Sequence, residues 1–315
     1  MKIAVIGAGL LGLACTYRLS SLEGVHVTLI DKAGIGSGAS GIAAGLLHPF
    51  AGKKATLNWN GFEAYTDALE LLEVASKTLG LPVMQKSGIF RPACSPTQHA
   101  LFKNASEKYP ECIWQEDSKL HLPGIFIPCG VQVDCALYLD ALFKASLVNA
   151  VTFKIATISS REELEDFDLV IFTVGTGFSA ISGLTHPPIH AVKGQLLELE
   201  YDKMIPYAIS SQAYVAQMQP RYIVAGSTYE HSWTTTEPDV TTCEQEIREK
   251  LRQFSPSFAE LRLLSCKAGF RATTADKRPF ITKSDPKCWC LGGLGSKGLL
   301  YHAWLAKSLC SALQN

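Results

Sequence analysis

Residues 1–12, Met-Lys-Ile-Ala-Val-Ile-Gly-Ala-Gly-Leu-Leu-Gly, constrain the fold of this chain more than any other stretch. A short apolar strand enters Gly7-x-Gly9-x-x-Gly12 and leaves as a helix. Such a turn aims backbone N–H groups and the positive end of a helix at an anion, and the anion it suits is a pyrophosphate. Gly7 permits the tight turn, Gly9 lets a phosphate approach the backbone, and Gly12 lets helix and strand pack closely. Ala8, Leu10 and Leu11 fill the rest of the motif. A second apolar strand over residues 25–30 ends in Asp31, followed by Lys32, and a carboxylate there can accept hydrogen bonds from ribose hydroxyls. Glycines alone would also suit a turn with no ligand; strand, helix and acid in this order point to a dinucleotide.

With 315 residues the chain has length for two domains or one large elaborated one. Its 47% hydrophobic and 18% charged content describes a soluble globular protein rather than a disordered one. Basic and acidic residues balance at 29 each, so no global field draws the chain to nucleic acid or an anionic membrane, although a local patch remains open. No apolar run reaches the roughly 18 residues of a membrane span. The nucleotide turn begins so early that no leader peptide is expected. Ten cysteines form no Cys-x-x-Cys pair, so no metal site is expected. They read as buried thiols of a cytoplasmic protein.

After Asp31 comes a second run of small residues, Ala33-Gly-Ile-Gly-Ser-Gly-Ala-Ser-Gly41, then Ile42-Ala-Ala-Gly-Leu-Leu-His-Pro49. Periodicity predicts a helix over residues 57–79, with Phe62, Tyr65, Leu69, Leu72 and Leu79 on its apolar face and Gly80 and Pro82 as stop signals. Ser95-Pro96 suits the start of a helix, and Asp134 caps another over residues 135–147. Buried strands are predicted over 151–155 and 168–174, the second ending in Gly175. Strand-like runs follow between 192 and 224, then a helix near 243–254 with a Thr241-x-x-Glu244 capping box. The chain closes with a strand over 288–291, the turn Gly292-Gly-Leu-Gly-Ser-Lys-Gly298 and an apolar helix. A nicotinamide dehydrogenase usually completes its nucleotide fold in one stretch of roughly 150 residues. Here that sheet is interrupted twice, which suits a flavin enzyme whose strand-rich insert roofs the isoalloxazine ring. The expected class is α/β: a Rossmann-like FAD-binding domain, discontinuous over residues 1–80, 134–190 and 266–315, with a strand-rich α+β substrate domain over 81–133 and 191–265.

Taken together, these motifs resemble the FAD-dependent oxidoreductase family of D-amino-acid oxidase, glycine oxidase and sarcosine oxidase, essentially end to end. The resemblance is carried by Gly7-x-Gly9-x-x-Gly12, Asp31, the loop Gly36-x-Gly38-x-Ser40, the expected turn Lys193-Gly194-Gln195, Gly269-x-Arg271 with Asp276 and Pro279, and Gly292-Gly293 with Gly295 and Gly298. The chain is also similar to the C-terminal oxidase part of the bifunctional enzyme that makes 5-methylaminomethyl-2-thiouridine in tRNA. That likeness lies in Gly269-Phe-Arg-Ala-Thr-Thr-Ala-Asp276 and the glycine turn at 292–298.

The resemblance implies non-covalent FAD, with Gly7, Ala8, Gly9 and Gly12 at the pyrophosphate and Asp31 at the ribose. Ser40 would reach phosphate or ribityl oxygens, and Ala43, Ala44 and Gly45 would lie by the flavin ring. Gly175 would pass the adenosine half. Gly292, Gly293, Gly295, Ser296, Lys297 and Gly298 would open the final helix by the flavin N1–O2 edge, although Lys297 also suits a solvated helix position. Arg271 is the candidate substrate clamp, since a guanidinium can hold a carboxylate by two parallel bonds; the plainer alternative is a salt bridge to Asp276. Tyr214 is a candidate substrate contact or a core tyrosine. His48 is expected in a turn before Pro49, and His231 and Trp233 in a polar loop or lid. The implied reaction is oxidation of a C–N bond in an amino acid or secondary amine bearing a carboxylate, with hydride passing to flavin N5, imine hydrolysis, and reoxidation by O2 or another acceptor. Oxidation of a carboxymethylaminomethyl group on tRNA and dehydrogenation of a 2-hydroxy acid are the alternatives. No membrane partner is expected, and the oligomeric state is open.

Overall fold

The protein is described from a computed structural model over residues 1–314. Six strands form one sheet in the spatial order Phe280–Asp285, Cys288–Gly292, Leu169–Phe172, Lys2–Ile6, His26–Asp31 and Thr152–Ile155. All neighbours pair in parallel except Phe280–Asp285, which runs antiparallel at one edge. Ile3, Val5 and Ile171 belong to one apolar core, while Ala4, Val170 and Phe172 belong to another. Both faces are therefore covered, which explains why these strands read as unbroken apolar runs. Helices Leu10–Ser20, Gly61–Leu79, Cys135–Leu147 and Gly298–Gln314 pack together over the first face.

A second sheet has eight strands, in the order Leu263–Thr273, His190–Tyr201, Arg221–Gly226, Tyr214–Ala216, Ala208–Ser210, Ile89–Pro92, Leu122–Ile127 and Ile113–Asp117. Helix Val240–Arg252 packs on it through Cys243, Ile247 and Leu251. Three short strands, Leu46–Leu47, Val131–Val133 and Met84–Gln85, form a third, antiparallel sheet. Among the described residues no helix is long and apolar enough to cross a membrane.

Local signals were read well where one side chain decides the matter. Ser95 Oγ accepts the Gln98 N–H at 3.2 Å to open Pro96–Lys108, and Asp134 Oδ1 accepts the Leu137 N–H at 3.0 Å to open Cys135–Leu147. Three expectations need correction. The helix expected from residue 57 begins at Gly61, because Asn58 Nδ2 donates to the Pro49 and Ala51 carbonyls at 2.8 and 2.9 Å and holds a turn there. Of its expected apolar face, Leu72 is buried and Tyr65, Leu69 and Leu79 pack half-buried against the core, but Phe62 is exposed; the fully buried seam is completed by Ala64, Ala68, Leu71 and Ala75, small residues that let neighbouring helices approach closely. The predicted capping box gives way to Asp239, whose Oδ1 accepts the Thr242 N–H at 3.1 Å, while Glu244 pairs with Arg248.

Inside the helical layer, the fully buried His302 accepts a hydrogen bond at Nε2 from the Tyr138 hydroxyl, 2.6 Å away, while its Nδ1 donates to the Leu299 carbonyl at 2.9 Å. Burial pushes the imidazole down from its ordinary 6.5 to about 4. A base whose folded value is depressed contributes stability that is complete above its unfolded value and is lost as pH falls towards the folded one. Urea midpoints should therefore decline between pH 6.5 and pH 4. His302→Asn should flatten part of that slope; an unchanged slope would mean that His302 does not titrate in this range.

Candidate active site

The glycine turn after strand Lys2–Ile6 is closed by contacts that admit no side chain. A Cβ on Gly12 would stand 1.7 Å from the Gly7 carbonyl oxygen, and one on Gly7, whose φ is +103°, 2.7 Å from the Thr173 carbonyl. Helix Leu10–Ser20 starts at Gly9 with no side-chain cap bond to a helix N–H from Gly9 itself and no acid in its first turn. Ser40 supplies the hydroxyl instead: its Oγ accepts the Leu10 N–H at 3.1 Å. This is a helix start with its dipole uncompensated by charge, which fits a pyrophosphate. Asp31 Oδ2 accepts the Ala8 N–H at 2.8 Å, and Oδ1 accepts those of Ala33 and Gly34 at 2.8 and 3.0 Å. Oδ2 thus holds the turn and keeps acceptor capacity for a ribose hydroxyl. Lys32 is exposed.

Distant segments converge on this cradle. A Cβ on Gly298, at the start of the last helix, would lie 3.5 Å from Leu10 Cδ1. Thr273, two residues beyond Arg271, bridges to Leu294 inside the second glycine turn. Gly293 and Gly295 adopt φ of +75° and +54°, and Gly292 packs against Phe178 in the short helix that Gly175 opens. Gly269 faces the small-residue loop: a Cβ there would be 2.6 Å from Ile42 Cδ1 and 3.2 Å from the Ala39 backbone. Gly45, at φ +71°, lies against Val133, whose N–H donates to the Gly45 carbonyl at 2.7 Å. Ala44 is half-buried; Ala43 and Ser296 are exposed. Lys297 is half-buried with no bonding partner among the described residues. Burial, and then the neighbouring Lys277, lower its ammonium below the usual range.

Arg271 sits opposite Val192 in the ladder between Leu263–Thr273 and His190–Tyr201. Its guanidinium passes over Gly194 of the neighbouring strand to reach the segment beyond. Nη2 donates to Ser227 Oγ at 2.6 Å and Nη1 to the Thr228 carbonyl at 3.2 Å, with the Tyr229 ring 4.4 Å from the guanidinium carbon. A Cβ on Gly194 would stand 2.3 Å from Nη1. The Lys193-Gly194-Gln195 motif is therefore no turn but the middle of a 12-residue strand, with glycine where an arginine must cross. The expected alternative of a bridge to Asp276 does not form, since Asp276 Oδ1 accepts the Arg278 N–H at 3.1 Å. No carboxylate among the described residues lies within 4.0 Å of Arg271, so part of its N–H fork is available to an anion.

Tyr214 pairs with Gly226, its hydroxyl 2.5 Å from where a Gly226 Cβ would stand. Burial raises its phenol well above the ordinary value, partly opposed by Arg271. The Tyr214 phenol is therefore neutral near pH 7. Ser227, Thr228, Tyr229 and the role of Gly194 escape a reading of sequence, because only strand register brings them to Arg271. The one available signal was the glycine closing the apolar run Tyr222–Gly226, directly before Ser-Thr-Tyr.

His48 does lie directly before a turn at Pro49 and Phe50, but buried, just after Leu46–Leu47, with Nδ1 unpartnered. Burial, then Arg91, pushes it down to about 3, so it is neutral near pH 7. Trp233 stacks on Phe270 at 5.1 Å. Phe270 precedes Arg271, so this contact lies on the opposite face of the ladder. Cys266, five residues before Arg271, also faces away and packs beside Cys243.

The fold and site define a flavin-dependent oxidoreductase with its cofactor cradle assembled from several parts of the chain. More narrowly, the chain belongs to the FAD dependent oxidoreductase family, DAO, whose model matches residues 2–312, and FAD is that family's cofactor. The chain is 26% identical over 318 residues to the tRNA 5-methylaminomethyl-2-thiouridine biosynthesis bifunctional protein MnmC of Burkholderia thailandensis, spanning 88% of this chain and 47% of that protein. A Maricaulis maris MnmC matches 99% of the chain at 25% identity and 52% of its own length. The chain thus spans about half the length of these curated relatives. Among solved structures, glycine oxidase from Geobacillus kaustophilus superposes with a TM-score of 0.85 at 15% identity, covering 99% of this chain and 94% of that one. Iminodiacetate oxidase from Chelativorans sp. gives 0.81 at 20% identity, covering 100% and 95%.

Gly194→Ala should force the guanidinium aside while sparing the cradle. Bound FAD should stay near one per chain, and the apparent affinity for a carboxylate ligand should fall roughly tenfold or more, the scale of one lost charge-assisted bond. Unchanged affinity would show that the guanidinium does not need this crossing.

Proposed function

We propose that the chain oxidises the C–N bond of an amine that carries a carboxylate, either an amino acid or an N-substituted glycine. Arg271 carries this reading: a guanidinium held over Gly194 with no acidic partner, in the strand whose Gly269 touches the small-residue loop. FAD, when bound, supplies the two-electron acceptor. The start of helix Leu10–Ser20 and Ser40 would hold its pyrophosphate and Asp31 its ribose, while Lys297 adds positive charge at the second glycine turn. Arg271 clamps the substrate carboxylate and so fixes the carbon to be oxidised, with Tyr214 as a neutral hydrogen-bond donor. Ser227 and Tyr229 keep the clamp from swinging. Neither Tyr214 nor His48 is poised as a base near pH 7, so the work of these residues is orientation and charge placement. The imine product is hydrolysed by water, and O2 or another acceptor completes the cycle.

A second reading is favoured by the MnmC relatives: the amine and carboxylate belong to a carboxymethylaminomethyl group on tRNA. The same clamp serves either substrate. Anaerobic loss of the oxidised flavin band, screened over amino acids, N-substituted glycines and such a tRNA, separates them; salt-sensitive retention of tRNA would favour the second.

Arg271→Ala should raise KM at least tenfold or abolish turnover, since a bidentate charged pair is lost. The variant should keep its FAD, and acid precipitation should leave the yellow colour in the supernatant for parent and variant alike. Parental kinetics would remove Arg271 from the site, and colour in the pellet would overturn non-covalent binding.

A further inference from the structure

Directly behind the ladder that Arg271 crosses lies a second set of charges for which the proposed reaction has no use. Neighbouring residues of a strand alternate faces, so Lys193 and Gln195 point away from the face that Gly194 opens to Arg271. Lys193 is only 1% exposed, yet its one ion pair is a long one. Its Nζ donates to the Thr235 and Glu237 carbonyls at 2.9 and 2.8 Å, and Glu230 Oε2 stands 4.0 Å away. Glu230 Oε1 accepts Gln195 Nε2 at 2.8 Å and Thr228 Oγ1 at 2.6 Å, while Gln195 Oε1 accepts the Asp239 N–H at 2.6 Å. Lys250 is the other cation nearby, donating to the Ser227 carbonyl at 3.1 Å and paired with Glu246 at 2.5 Å.

This cluster is mechanically joined to the clamp. Thr228 bonds Glu230 through its hydroxyl on one face, while its carbonyl accepts the Arg271 Nη1 proton. It is also joined electrically. Glu230 is partly exposed, so its field is screened but not abolished, and across one sheet thickness it opposes the guanidinium unless something offsets it. Lys193 is the offsetting charge, and the cost of burying it is met by two carbonyls and a carboxylate.

We propose that Lys193 and Glu230 are positioning residues that act on Arg271 in opposite directions: Lys193 cancels the Glu230 carboxylate behind the sheet, leaving the guanidinium's charge available to an anion in front. This rests on Arg271 as a carboxylate clamp and adds how the strength of that clamp is set. A purely mechanical strap predicts that loss of either side chain loosens the ladder and weakens binding. The electrostatic role predicts opposite signs. One unit charge about 10 Å away, at an effective dielectric of about 40, corresponds to about fourfold in affinity.

The experiment titrates FAD-loaded enzyme with acetate and follows the visible flavin band. Lys193→Met should raise the acetate Kd about fourfold and Glu230→Gln, which keeps an acceptor for Gln195 and Thr228, should lower it by about the same factor. The double variant should return close to the parent. Weaker binding in both single variants, or no change in either, overturns the proposal. If Lys193→Met fails to fold, Glu230→Gln decides alone: tighter acetate binding supports the proposal, and equal or weaker binding overturns it. Arg271→Met separates the two levels. Should it leave the acetate response intact, Arg271 is not the anion site and the functional reading falls with the proposal. If it abolishes the response while the single variants miss the predicted signs, the proposal alone falls.

Discussion

The site depends on one close approach, the backbone of Gly269 against Ala39 and Ile42. Here the edge strand of the eight-stranded sheet meets the loop that follows the nucleotide cradle. A side chain at residue 269 would prise them apart, and Arg271, two residues on along the same face, would move with its strand. The contact works alongside Thr273, which bridges to Leu294, and Gly298, which lies by Leu10. Three segments far apart in sequence are thereby brought round one space, through backbone proximity rather than through long side chains. A close-packed interior transmits such constraints, because it has little slack to absorb them.

Glycine does different work at each place. Gly7 and Gly12 let a strand, a turn and a helix share one corner. Gly194 leaves a lane across a strand, so that a guanidinium anchored on one strand is gripped from another. The grip matters as much as the charge. Arginine carries roughly 2 kcal/mol of rotamer entropy. Here that freedom is already limited by Ser227, Thr228 and Tyr229 before any ligand arrives, which is the sense in which the site is pre-organised.

Much of this was legible from sequence, for reasons that differ by residue. The nucleotide cradle, the caps at Ser95 and Asp134 and the final glycine turn are local patterns, decided by residues a few positions apart. The interrupted sheet was legible from the order of apolar runs. What escaped was register. Nothing near Ser227 or Tyr229 tells that the segment after strand Arg221–Gly226 runs on beside Gly194, and Arg271 reaches it only because Leu263–Thr273 pairs with the other edge of His190–Tyr201. The turn at His48-Pro49 was legible from the dipeptide, but its burial was not, because the third sheet that carries it inward is assembled from distant segments. The helix from Gly61 was legible through Leu72 and its half-buried neighbours, but its alanines, which complete the seam, have too modest a hydropathy to stand out, and Phe62 proved exposed.

The interleaved strand order has a bearing on how the protein is made. Lys2–Ile6 and His26–Asp31 lie inside the six-stranded sheet, but Cys288–Gly292, Phe280–Asp285 and the covering helix Gly298–Gln314 come from the far end of these residues. During synthesis the first strands leave the ribosome together, but their outer partners follow more than a hundred residues later, and the last edge of the sheet later still. Helices up to Cys135–Leu147 cover part of their first face early, but that cover stays incomplete until Gly298–Gln314 arrives, and pairing at such sequence separation is slow. The six-stranded sheet, and the corner where its last glycine turn meets its first, can therefore close only once residues 280–314 have emerged.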